Sequence, residues 1–245
     1  MNAQLCISSY ISWITRNDHM LNQTVASHVV ETLTGQWLGD FLHEKIWTPL
    51  GMNGTYFSTP AALAAPELYS QGYVYYQDKF QEVPYMDLDI VSGAGSVISN
   101  VLSYTKWIQA LLAQSGPISK DAYKALFTPR TLIEPYFEDG PYTGVQSYAL
   151  GWIVGVYRGY EYFEHSGGME AFGTQLIFFP KLRYGAVTFA NTASTSNSVG
   201  QKLIFHLLDE KLGVPEEERF DWDKQYVSSL PFVRVKSSFM LISHI

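Results

Sequence analysis

The sequence predicts an α/β (α+β) domain with a mostly antiparallel sheet flanked by helices. Three observations carry this. Residues 148–156, 160–163, 174–180 and 185–190 are β-branched and aromatic runs separated by Gly and Pro, which read as consecutive strands. Helical spacing governs the stretches before and after them. The chain has 245 residues, 47% hydrophobic and 16% charged, enough for one domain with a buried core.

Taken in order, residues 1–13 show neither a helix period nor a strand alternation. Residues 23–34 follow a helical period that stops at Gly35, a C-terminal helix glycine. Residues 37–47 continue as an amphipathic helix, ended by Pro49 and the Gly51/Gly54 pair. Residues 55–66 read as an irregular connection. Residues 72–80 and 82–85 read as short strands, the first rich in Tyr, and 92–96 as a small-residue turn. Ser99 or Asn100 caps a helix over 101–114, and Ser119 caps another over 120–127. Residues 128–146 read as a loop. After the main strands, Ser196 or Asn197 caps a helix running to Leu212, ended by Gly213.

Composition excludes several functions. The net charge is −7 with no Lys/Arg run, so no nucleic-acid partner is expected. One cysteine, Cys6, rules out an internal disulfide and a multi-cysteine site. No stretch reaches 18 apolar residues, and the first residues lack a basic signal-peptide region. A cytoplasmic protein without a membrane span is therefore expected. The six histidines form no His-Glu-x-x-His or His-x-x-x-His pair, and Gly93 and Gly95 do not extend to a dinucleotide fingerprint. No cofactor and no metal are expected.

The chemistry-bearing segment is Glu164-His165-Ser166-Gly167-Gly168-Met169-Glu170-Ala171-Phe172-Gly173. A His-Ser-Gly-Gly at the end of a strand gathers an imidazole, a hydroxyl and bare backbone N–H groups. Glycine admits close approach of a ligand to the backbone, which suits binding of an acyl carbonyl or carboxylate. A tight strand connection with a surface histidine is the structural alternative. Glu164 stands beside His165, but adjacent strand side chains point to opposite faces, so no contact with the imidazole is expected. Tyr69, Tyr73, Tyr75, Tyr76 and Tyr85 line either a cleft or the core.

Four segments together resemble one family. They are Leu38-Gly39-Asp40-Phe41-Leu42 running to Pro49-Leu50-Gly51-Met52, then Ser92-Gly93-Ala94-Gly95-Ser96, then Tyr148-Ala149-Leu150-Gly151-Trp152, and finally His165-Ser166-Gly167-Gly168. In this order they resemble the serine β-lactamase and penicillin-binding-protein-like superfamily, in its class C-like branch of esterases, D-aminopeptidases and transesterases with fungal members. The likeness covers residues 17–226, in one domain. It implies a β-lactamase/transpeptidase-like fold and acyl transfer by a serine in Ser-x-x-Lys, with a small ester, amide or lactam as substrate. It also implies roles. His165 takes the third-motif position, Ser166 and Gly167 touch the substrate, and the Gly168 N–H is an oxyanion donor.

Departures from that pattern matter as much. The family's Ser-x-x-Lys stands far upstream of the segment that here begins at Leu38, so the chain reads as lacking the N-terminal part of the domain. The one Ser-x-x-Lys present, Ser103-Tyr104-Thr105-Lys106, falls on a helix that is structural in the family. The family's Tyr-x-Asn motif maps to Arg16-Asn17-Asp18. Arg16 cannot serve as a base, while Asn17 and Asp18 remain candidates for substrate binding. Two expectations compete: an incomplete serine hydrolase or acyltransferase, and a pseudoenzyme or binding protein that kept the cleft.

Overall fold

The structure, a computed structural model, describes residues 5–7, 16–66, 69–86, 88, 92–133, 140–169, 171–192 and 195–226, with side chains from residue 23 onward. The chain divides into two compact units, 1–204 and 205–245.

The first unit opens with β1 (Leu5–Ile7) and α1 (Arg16–Thr34). The strand β1 lies where the sequence shows no strand alternation. It pairs antiparallel with β4 (Val97–Ser99), and this pairing defines it. Helix α1 ends as expected: Gly35 has φ +68°, and its N–H donates to the Glu31 carbonyl at 2.8 Å. The amphipathic run that follows is broken into α2 (Leu38–Leu42), a π-turn (His43–Trp47) and α3 (Thr48–Leu50). Leu38, Trp47, Met52 and Phe57 from this stretch form one core cluster. Gly51, again at φ +68°, stops the run, and Lys106 Nζ caps it by donating to the Gly51 carbonyl.

Three local expectations need correction. The connection at 55–66 contains α4 (Thr59–Leu63), because the Ser58 hydroxyl accepts the Ala61 N–H and Pro60 stands in its first turn. The two short strands are the Tyr-rich β2 (Gly72–Tyr76) and β3 (Lys79–Val83), shifted from the expected bounds. The turn falls at Gln77-Asp78, with φ +51° and +59°; two positive φ values in a two-residue loop match the twist of a hairpin. The small-residue turn is a helical turn, α5 (Ser92–Gly95), set against α1. A Cβ at Gly93 would collide with Ser27 Oγ, so glycine is required for that approach.

Helices α6 (Val101–Ala113) and α7 (Lys120–Phe127) follow. Asn100 caps the first, accepting the Ser103 N–H at 2.8 Å, and Ser119 caps the second through Ala122. The six-stranded sheet comprises β5 (Thr131–Ile133), β6 (Gln146–Tyr148), β7 (Ile153–Tyr157), β8 (Tyr160–Met169), β9 (Phe172–Phe179) and β10 (Tyr184–Ala190). Each strand pairs antiparallel with the next in the chain, in the spatial order β10-β9-β8-β7-β6-β5. The stretch expected as a loop at 128–146 thus contributes β5 and the first residue of β6. On one face Phe163, Leu176, Phe178 and Val154 pack with Ile108 and Leu111 of α6 and Tyr123 of α7. On the other face Gly173 and Thr188 approach Ser196, Asn197 and Gly200. These belong to α8 (Ser196–Leu212), so Ser196 and Asn197 lie inside the helix rather than capping it.

In the second unit, α8 ends at Gly213 with φ +67°. A 3₁₀ turn (Glu216–Glu218) follows, and Trp222 stacks on Phe205 with ring centroids 5.0 Å apart.

Candidate active site

The His-Ser-Gly-Gly segment lies within β8, not at its end, since the strand continues to Met169. Pairing explains this. Gly167 and Gly168 are poor strand formers alone, but β9 pairs residue by residue with β8 from Phe163 to Met169. On the opposite edge β7 pairs only as far as Glu164. Residues 165–169 therefore form a strand held on one side by β9, with β7 ending before them.

His165 and Ser166 border a cavity of about 280 Å³. Tyr104 and Trp107 of α6, the α5 residues Gly93 to Gly95, Trp152 of the β6–β7 turn, and Thr174, Leu176 and Phe189 from the sheet complete most of its wall. The wall is thus aromatic, with a few polar groups, as small-molecule sites usually are.

His165 is tightly held. Its Nδ1 lies 2.7 Å from the Ser166 carbonyl and its Nε2 3.1 Å from the Tyr148 hydroxyl. A carbonyl only accepts, so Nδ1 carries a proton, and in the neutral ring Nε2 accepts from the phenol. Burial pushes the Tyr148 hydroxyl up to about 12, which keeps it protonated and donating. Glu164 behaves as expected of an adjacent strand position, making no bond to the imidazole. It is 6% exposed, and burial raises its carboxyl to about 8.

The remaining expected residues are placed as follows. The Gly167 carbonyl accepts from Asn197 Nδ2 at 3.0 Å, and Gly168 pairs with Gly173. Asn17 and Asp18 fall in the first turn of α1, where their side chains lie outside the described residues. Ser103 is 4% exposed, and its Oγ accepts the Gly54 N–H at 3.2 Å. Lys106 is directed to the Gly51 carbonyl. The Ser103/Lys106 pair therefore stitches α6 to the 51–54 turn, and neither residue borders the cavity. Tyr69 and Tyr85 pack on Phe172, with centroids 6.4 and 6.5 Å away, rather than lining it. Among the described residues no group of three or more His, Cys, Asp or Glu is placed to hold a metal, and no helix is long and apolar enough to cross a membrane.

Sequence reasoning missed Tyr148 and Asn197 as partners of the motif. The only signal for Tyr148 was its place at the head of Tyr-Ala-Leu-Gly-Trp. Asn197 stood out in the sequence only as a candidate helix cap, not as a partner of β8.

The fold is that of the penicillin-binding and class C β-lactamase-like proteins. The penicillin-binding protein homologue from Pyrococcus abyssi, an octamer, superposes with a TM-score of 0.64 at 20% identity, over 74% of this chain and 40% of that one. A D-stereospecific amidohydrolase from Streptomyces gives 0.61 at 23% identity, over 79% and 54%. A class C beta-lactamase gives 0.54 at 18%, over 76% and 54%. The Beta-lactamase family profile matches residues 19–209, and the chain belongs to that family. Two curated relatives share its sequence more closely. The unguisins hydrolase ungD′ of Aspergillus campestris is 42% identical over 205 residues, and the unguisins hydrolase ungD of Aspergillus violaceofuscus 39% over 221. Each match covers 82% of this chain, which spans only 38% and 39% of the relatives' lengths.

Proposed function

We propose that the cavity beside β8 is the acyl-binding side of a β-lactamase-type serine hydrolase or acyltransferase acting on a small ester, amide or lactam. The supporting observation is the position of His165 and Ser166 on the cavity wall, at the stretch of β8 that β7 does not reach. In this reading Ser166 and Gly167 hold a polar group of the substrate, with Asn17 and Asp18 as further contacts. The Gly168 N–H donates to the carbonyl oxygen as it gains negative charge. A serine hydroxyl attacks the carbonyl carbon, giving up its proton, and the alcohol or amine departs with a proton. Water, or a second alcohol or amine, then takes the acyl group from the serine. The reacting serine is one other than Ser103, whose hydroxyl is already engaged. No metal or cofactor takes part, and the single-domain arrangement over 1–245 and a cytoplasmic location belong to the same proposal. The relatives' name, unguisins hydrolase, favours hydrolysis over transfer.

A second reading, a β-lactamase-like binding protein without catalysis, is favoured by the structural use of Ser103 and Lys106. One experiment tests both. The 245-residue chain, with Ser103→Ala and His165→Ala beside it, is treated with a fluorophosphonate and weighed by intact mass. Binding of phenylalanine amide is followed in parallel by tryptophan emission from the Trp107/Trp152 wall. The expected result is saturable binding, about tenfold weaker in His165→Ala, the scale of about 1.4 kcal/mol, and no adduct at Ser103. An adduct lost in Ser103→Ala makes Ser103 the nucleophile and overturns the assignment. Binding with no adduct at any residue means that this chain alone is not a serine hydrolase, the outcome shared by the second reading and by an enzyme whose Ser-x-x-Lys lies outside these 245 residues. Absence of both removes this cavity from any role with acyl substrates.

A further inference from the structure

We propose that Tyr148 is a positioning residue: through the His165 ring it fixes the Ser166–Gly167 peptide, so that the backbone of the glycine pair is presented in one orientation. The inference starts from register. Tyr148 is the last residue of β6 and pairs with Ile153, which in turn pairs with Glu164. The row beyond Glu164 is the row of His165. No residue of β7 stands in that row, because residues 149–152 form the β6–β7 turn, closed by the Ala149 N–H on the Trp152 carbonyl at 2.8 Å, with Gly151 at φ +79°. The phenol therefore reaches across the turn to the imidazole, edge to face, with ring centroids 6.2 Å apart.

The bonds form a directed chain. The Tyr148 O–H donates to Nε2, and Nδ1–H donates to the Ser166 carbonyl. That carbonyl shares a rigid plane with the Gly167 N–H, so turning the ring turns the peptide. A ring flipped by 180° would set carbon atoms against both partners and lose both bonds, so the network admits one ring orientation and one tautomer. The next carbonyl, that of Gly167, is held independently by Asn197 Nδ2 at 3.0 Å. The two successive carbonyls that flank the Gly167 Cα are thus each bonded to a side chain. Glycine has the largest freedom to lose, and these two side-chain bonds add to the β9 pairing that already holds Gly167 and Gly168. The importance of this device for acyl binding rests on the functional reading above; the device itself does not.

Nuclear magnetic resonance tests it without any turnover. Long-range proton–nitrogen spectra of histidine-labelled protein resolve the ring nitrogens, and His165→Gln assigns the signal. The wild type is expected to show His165 as the Nδ1–H tautomer with a hydrogen-bonded Nε2. In Tyr148→Phe the Nε2 signal moves to its unbonded position. The Gly167 and Gly168 amides exchange about tenfold faster, the scale of one lost hydrogen bond, and the other histidine signals stay in place. A wild-type Nε2–H tautomer overturns the proposal. So does a folded Tyr148→Phe with unchanged Nε2 signal and unchanged glycine exchange. Should that variant fail to melt cooperatively, the wild-type spectrum decides alone: an Nδ1–H tautomer with a bonded Nε2 supports the proposal, and any other pattern overturns it. If this outcome is positive while phenylalanine amide fails to bind, the functional reading falls and the positioning role stands.

Discussion

Glu164 is a carboxylic acid 6% exposed on β8, and its Oε2 has no hydrogen-bond partner among the described residues. Burial raises its pKa from 4.5 to about 8. The sign of the stability effect follows. Between these values the folded chain keeps a proton that the unfolded chain has released, so folding stability falls as pH rises through that window. Below it both states are protonated, and no penalty applies. Glu164→Gln is uncharged at every pH and removes the dependence. Urea unfolding of both proteins at pH 5 and pH 8 should show the variant gaining on the wild type by about 3–4 kcal/mol at the higher pH. Parallel behaviour at the two pH values would contradict the burial argument. The neighbouring position shows why residue identity alone cannot reveal a site. His165 and Glu164 are adjacent in sequence, yet one is engaged by Tyr148 and Ser166 while the other is directed away.

At the level of elements, local signals were reliable where the physics is local. Gly35, Asn100, Ser119 and Gly213 ended or started helices as their backbone preferences dictate. Apart from the short helices α4 and α5 and the start of α8, the errors fell where a partner strand decides. The β2–β3 turn is set by cross-strand register, which moved it to Gln77-Asp78. The glycines of β8 look like a strand end in sequence, but seven consecutive pairings with β9 carry the strand through them. The Tyr148–His165 bond depends on the register of three strands and left no trace in any one of them. The hairpin offers a direct check. Asp78 adopts φ +59°, a conformation that costs a side-chain residue more than glycine. Asp78→Gly should stabilise the hairpin by about 0.5–1 kcal/mol, read as a rise in melting temperature and slower proteolysis at 77–78. A lower melting temperature would mean that the Asp78 side chain contributes more than its backbone strain costs.

For the whole molecule, family and fold were legible in four short segments. Their order along the chain carried the inference, because each alone is weak. The cavity was not legible, since its wall joins α5, α6 and the sheet from positions as distant as Gly93 and Phe189. The sheet order also bears on how the chain acquires its structure. Every pairing from β5 to β10 joins strands that are next to each other in sequence. Each closes a short loop, and short closures cost little chain entropy. The β1–β4 pairing instead spans from Leu5 to Ser99 and must wait for a far longer closure. The meander should therefore form as an early unit, with β1 added late. Pulsed hydrogen exchange during refolding should protect the β7–β9 amides before those of β4. Simultaneous protection would mean instead that the sheet and the β1–β4 ladder form in one cooperative step, and that a chain unable to place β1 could not build the strand bearing His165 either.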